Sequence, residues 1–149
     1  MRSEHGRWSN WGLFPEVPGT VWWPRDAQDL EKLTSQQQGW TPRGNGRSYG
    51  DASLGRYMVS GLDLKEVFEL DPISGVLRCS AGLLLDEVLL RIVPQGFFLP
   101  VSPGTRLVSI GGAIAGDIHG KNHHVDGSFS AFVDSMVVHL GDGPPLRCS

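Results

Sequence analysis

Cysteine is scarce in this 149-residue chain: Cys79 and Cys148 are the only two, and they stand far apart. No C-x-x-C spacing is present, so neither a zinc knuckle nor a redox dithiol is indicated. A single disulfide is open to them, but two reduced thiols in strands is the simpler reading. No apolar run approaches the roughly 20 residues that span a bilayer. Met1-Arg-Ser-Glu-His-Gly-Arg-Trp8 lacks the apolar core of a secretory signal. A soluble, cytoplasmic protein is therefore expected. Charge is sparse as well, with 13 Lys+Arg against 16 Asp+Glu and a net charge of −3. The absence of a basic stripe or a charged tail argues against nucleic acid as a partner. No internal repeat or low-complexity tract appears.

Glycine is what the chain has in excess. Its 20 glycines are about twice the ordinary usage of roughly 7%, and many fall in two clusters. The first is Thr41-Pro-Arg-Gly-Asn-Gly-Arg-Ser-Tyr-Gly-Asp51. Glycine lets a ligand approach the backbone closely, and successive N–H groups in such a turn can form an anion-binding concavity. Arg43 and Arg47 add bidentate donors for the same kind of anion. An ordinary exposed turn is the competing reading, since Asn-Gly is a common turn dipeptide.

Around this loop the pattern alternates between strands and short helices. Residues 1–20 show no period and read as an extended arm whose Trp8, Trp11 and Phe14 tuck into a surface. Val21-Trp22-Trp23 suits a strand stopped by Pro24. Asp26 is placed to cap a helix that has Asp29 at its third position, Leu30 and Leu33 on its apolar stripe and Gly39 at its end. A short strand then leads into the loop. Tyr57–Leu62 reads as a strand, and Val67–Leu70 with Val76–Ser80 reads as a hairpin around Asp71-Pro-Ile-Ser-Gly75. Leu85, Val88, Leu89 and Ile92 fall at i, i+3, i+4 and i+7, predicting an amphipathic helix over about 84–93, ended by Pro94 and Gly96. Phe97–Val101 and Val133–Leu140 read as strands. Gly141-Asp142-Gly143 is a hairpin signal that pairs the last residues with Val133–Leu140, and the abrupt end suggests a fragment of a longer protein.

The second cluster runs from Ser102 to Ser128. Pro103-Gly104-Thr105 is a tight turn, and Gly111-Gly112-Ala113-Ile114-Ala115-Gly116 could start a helix that packs flat against a ligand or a strand. His119, Lys121, Asn122, His123 and His124 follow. His119 and His123 have the spacing of two ligands on one helix face. Gly120 interrupts that helix, however, and no third ligand is evident, so no metal is assigned.

These two motifs together, Arg43–Asp51 and Pro103–His124, resemble the FAD-binding (PCMH-type) domain of the vanillyl-alcohol oxidase superfamily. The resemblance is strongest to the branch that holds decaprenylphosphoryl-β-D-ribose 2′-oxidase, and it covers nearly the whole chain. It implies an α+β, two-lobed FAD-binding domain, represented by its first lobe and the beginning of its second. Residues 1–149 would then be the N-terminal part of that domain, with a C-terminal substrate domain absent.

The resemblance also implies roles. Arg43, Gly44, Asn45, Gly46, Arg47, Ser48 and Tyr49 match the loop around the FAD pyrophosphate. Pro103, Gly104, Thr105, Gly111, Gly112 and Ala113 match segments close to the flavin. Asp117, Ile118, His119, Gly120 and Asn122 match the stretch beside the isoalloxazine and ribityl chain, with His119 and Lys121 on the substrate side. Some relatives attach FAD through a histidine of the first loop. Arg47 stands there, so non-covalent FAD is expected.

The implied activity is oxidation of an alcohol carbon of a sugar, polyol or sugar-lipid, with no catalytic base assigned and the 149-residue piece inactive alone. Two alternatives are a UDP-N-acetylenolpyruvylglucosamine reductase-like enzyme using NADPH and a non-catalytic flavin or metal scaffold.

Overall fold

A computed structural model describes residues 1–149 apart from Gln37 and Asp142. The first half is a four-stranded sheet in the order β1-β2-β4-β3, built from β1 (Arg2–Trp8), β2 (Val17–Trp23), β3 (Trp40–Arg43) and β4 (Tyr57–Ser60). β2 and β3 both run parallel to β4, and β1 pairs antiparallel with β2 from Arg2↔Trp23 to Trp8↔Val17. Parallel strands need a crossover, and α1 (Ala27–Thr34) makes the one from β2 to β3, which flank β4. Its N-cap is Asp26, whose carboxylate accepts from the Asp29 N–H at 2.7 Å. That bond satisfies one of the donors a helix start leaves open.

Alternation along β2 turns Gly19, Val21 and Trp23 to one side. There Val21, Trp23 and Met58 form a small core with Trp8, Leu54 and Leu62 packed against it. The Trp8 and Trp23 rings meet at 5.9 Å, and the Trp8 indole N–H donates to Gly19 O.

A larger core occupies the second half. The hairpin of β5 (Phe68–Leu70) and β6 (Leu77–Cys79) leads into α2 (Leu85–Ile92). The Glu87 carboxylate accepts from the Leu84 N–H at 2.8 Å where that helix begins. Leu85, Val88 and Ile92 are buried against Leu83, Val101, Ile110, Ala113 and Phe129. Burying each such aliphatic side chain contributes about 1.5–3 kcal/mol. α3 (Ile110–Ala115), α4 (His123–Asp126) and a closing antiparallel pair, β7 (Met136–Val138) and β8 (Leu146–Cys148), complete the chain. The architecture is α+β, and no helix among the described residues is long and apolar enough to cross a membrane.

Several expectations change. Residues 2–8 are a strand rather than a loose arm, and Trp11 and Phe14 are exposed instead of tucked in. α1 stops at Thr34, not Gly39, and β4 stops at Ser60, where a 3-10 turn (Gly61–Asp63) follows. Phe97–Val101 joins no sheet; Pro100 has no N–H to donate, and Val101 is instead buried in the larger core. The strand expected over 133–140 narrows to β7 but does pair with the last residues. Asp142, the centre of the expected turn, lies outside the described residues. Both cysteines are free thiols in strands, Cys79 in β6 and Cys148 in β8.

Candidate functional site

The parallel strand β3 delivers its last residue, Arg43, straight into the first glycine loop. Arg43 turns inward. Its guanidinium donates to Asn10 Oδ1 at 2.7 Å, to Ser9 O at 2.8 Å and to Ser53 O at 3.2 Å. Burial pulls its pKa below the usual arginine value, although a guanidinium keeps its charge throughout the working pH range. The sequence suggests two arginines facing an anion; the fold spends the fork of this one on its own scaffold. Gly46 is buried with φ near +60°, and a Cβ there would stand 2.5 Å from Arg43 Nη2. Both the conformation and the space require glycine.

Arg47 is treated differently. Its guanidinium lies 5.4 Å from the Trp11 ring centroid, and its Nε–H is buried with no hydrogen-bond partner among the described residues. A buried donor left unmade costs about 1–3 kcal/mol, so this atom calls for an acceptor that the described residues do not supply. Ser48 is half-buried and gives its carbonyl to the Trp11 N–H, while Tyr49 is exposed beside it.

The two glycine clusters touch. A Cβ on Gly44 would come within 2.5 Å of Ser109 Oγ, and the Asn45 side-chain amide donates to Leu107 O at 2.9 Å. Ser109 is the N-cap of α3 and accepts from the Gly112 N–H at 3.2 Å. Gly111 N–H donates to Ala81 O, and Ala113 is fully buried in the larger core. Thr105 Oγ1 accepts from the Leu107 N–H, which closes the turn after Pro103 and Gly104.

Beyond α3 the chain turns back. Asp117, at φ near +38°, accepts from the Ser130 N–H at 2.9 Å and from Ser128 Oγ at 2.8 Å. Those two bonds, the Ser130 N–H first, hold its carboxyl below the usual aspartate pKa. Ile118 packs against the larger core and binds Phe129 N–H through its carbonyl. His119, Gly120, Lys121, Asn122 and His123 then line an open concavity of about 600 Å3 with Ser102, Pro103 and Gly104. The Asn122 amide is committed to Pro100 O and Asp126 Oδ2. Lys121 is exposed, as is His119, whose ring centroid lies 5.0 Å from that of His123. Among the described residues no third His, Cys, Asp or Glu joins this pair in a metal-binding group.

The fold thus brings Gly44 and Asn45 against the start of α3, and Pro103–Gly104 against His119–Asn122. Three polar residues that organise the site are nearly fully buried and carry no expected role: Asn10 and Ser53 lie outside the two sequence motifs, and Ser109 lies within the second. Ser109 has a readable signal, a serine just before a run of small residues, as suits an N-cap. Asn10 and Ser53 have none.

Comparison with known proteins identifies the family and the fold. An FAD binding domain matches residues 18–149. Decaprenylphosphoryl-beta-D-ribose oxidase of Mycolicibacterium smegmatis is 41% identical over 144 residues, covering 92% of this chain and 31% of that protein. D-2-hydroxyglutarate dehydrogenase of Escherichia coli is 26% identical over 131 residues, covering 81% of this chain and 13% of its own length. The chain therefore spans under a third of these relatives.

Solved structures at lower identity share the fold. Alkyldihydroxyacetonephosphate synthase matches with a TM-score of 0.76 at 18% identity, over 89% of this chain and 27% of that one. Cholesterol oxidase from B. sterolicum matches at 0.70 and 17%, over 80% and 25%. With a glycine loop locked against a capped helix and a buried arginine donor awaiting an acceptor, the chain belongs to the FAD binding domain family.

Proposed function

We infer that the chain is the FAD-holding part of an oxidoreductase that oxidises an alcohol carbon of a sugar, polyol or sugar-lipid. A further C-terminal domain would complete its substrate pocket. The observation that carries the cofactor reading is the unpartnered, buried Nε–H of Arg47, set in a loop whose glycines press on Ser109 and Arg43. The substrate class rests on the similarity to an enzyme named as a ribose oxidase.

The residues present fit FAD. The Gly44–Tyr49 loop and Arg47 would hold the pyrophosphate, through backbone N–H groups and a charge-assisted bond. Pro103–Thr105, Gly111–Ala113 and the backbone of Asp117–Asn122 would lie along the flavin. Arg43 would act from behind, by shaping the loop. FAD, once bound, supplies the hydride-accepting centre. His119 and Lys121 face the open concavity, where they can orient a hydroxylated substrate and hold charge beside it. The attachment is non-covalent, because an arginine occupies position 47.

Full-length protein is expected to carry a flavin absorption spectrum and to release FAD on denaturation. With excess sugar alcohol the flavin should bleach under anaerobic conditions. Protein that purifies without flavin and neither quenches nor shifts added FAD would sink this reading.

A further inference from the structure

The matched FAD domain begins at residue 18, yet the first glycine loop is held in shape by residues that precede it. Asn10 is 3% exposed. Its Oδ1 accepts from Arg43 Nη1 at 2.7 Å and from Ser53 Oγ at 2.9 Å, while its Nδ2 donates to Gly50 O at 3.0 Å. One amide therefore ties the loop at its entrance, its tip and its exit. Ser9 O takes a second Arg43 N–H, and the Trp11 N–H donates to Ser48 O at 3.2 Å. Trp11 then lays its ring beside the Arg47 guanidinium.

From this geometry we propose that Ser9–Trp11 is a positioning clamp for cofactor binding. Asn10 preorganises the loop and Trp11 aims Arg47, so that both residues set FAD affinity without touching the chemistry. The proposal rests on the FAD reading above. Its physical basis is that a loop already in its bound shape pays no ordering cost on association. Without Asn10, the half-buried Arg43 and the buried Ser53 donors lose their shared acceptor, and the loop that carries Arg47 is free to sample other shapes. Trp11 is half exposed, so its ring is not needed to fill a core. A cation–π contact restricts where the Arg47 guanidinium can point.

The test is FAD titration of full-length apoprotein by flavin fluorescence quenching, with the melting temperature of each apoprotein measured in parallel. Trp11→Ala should weaken FAD roughly two- to fivefold with an unchanged melting temperature, and Trp11→Phe should bring the affinity back close to wild type. Asn10→Ala should weaken FAD about tenfold or more. If that variant fails to fold, the Trp11 pair decides alone. Wild-type affinity in Trp11→Ala, or an equal loss in Trp11→Phe, overturns the clamp. Wild-type protein that binds no FAD overturns the FAD reading instead, so the two failures are distinct.

Discussion

The loop at Arg43–Asp51 and the segment at His119–His124 are built from similar residue types, glycine and asparagine beside basic side chains, yet the fold finishes one and leaves the other open. In the loop, Gly46 is buried, Arg43 donates to Ser9, Asn10 and Ser53, and Gly44 is wedged against the cap of α3. In the later segment, His119, Lys121, His123 and His124 are all exposed; the Asn122 Nδ2 donates to Pro100 O and Asp126 Oδ2, and the His123 ring meets Gly120 O. A pyrophosphate is best held by donors fixed before it arrives, because ordering them afterwards subtracts from affinity. A region proposed to face a substrate can stay open until other parts of a protein cover it. The difference is one of preorganisation, and each region can be challenged separately.

The largest effect should come from prising the two glycine clusters apart. A valine at position 44 needs room where Ser109 Oγ already stands, and that hydroxyl caps α3. Overpacking of this kind costs about 1–3 kcal/mol, and it moves the loop away from the helix start. Gly44→Val should weaken FAD on the order of 100-fold and lower the melting temperature by several degrees. Wild-type affinity would mean that the contact between clusters is not part of the site.

Next is Arg47→Ala. Arg47 Nε–H has no partner to lose among the described residues, so the apoprotein should keep its stability. The lost charge-assisted bond should weaken FAD roughly 10- to 100-fold, as expected for about 1.5–3 kcal/mol. Titration of the apoprotein checks this, and an unchanged Kd removes Arg47 from the cofactor site. On the open side, Lys121→Ala should leave FAD affinity intact. It should reduce kcat/KM of the full-length protein about fivefold, equivalent to the ~1 kcal/mol of an exposed charge contact. Undiminished kcat/KM takes Lys121 off the substrate side.

Much of this layout is legible in the residues because the relevant signals are local. The apolar spacing of Leu85, Val88 and Ile92 reports α2, Asp26 reports the start of α1, and the Pro72 and Gly75 turn reports the β5-β6 hairpin. The glycine clusters likewise mark where backbones approach closely. What stays hidden depends on distant partners. β1 is exposed along most of its length, so it shows no alternation, and only its ladder with β2 makes it a strand. Arg43 and Arg47 are four residues apart and chemically alike, but the acceptors that bury Arg43 come from 33 and 10 positions away. Asn10 reaches Ser53 across 43 positions. No window of sequence contains both ends of those bonds. Phe97–Val101 errs in the opposite direction, being apolar enough for a strand but packed by its side chains with no ladder partner.

The smallest effect should appear only in acid, and it tests how the open segment is held from behind. Asp117 accepts from the Ser130 N–H and from Ser128 Oγ, bonds that favour its charged form and lower its folded pKa. Between the lowered folded value and the ordinary carboxylate value near 4, the unfolded chain binds more protons than the folded one. Falling pH in that window therefore favours unfolding, and the contribution is complete above it. Asp29, Asp71 and Glu87 are shifted the same way, so Asp117→Asn should not abolish the acid dependence. It should make the fall in melting temperature below about pH 4 shallower, and asparagine tolerates the positive φ at this position. Parallel curves for the variant and wild type from pH 7 to pH 3 would show that the Asp117 carboxylate does not staple the turn, and that the open segment depends on its Ile118 and Phe129 backbone contact instead.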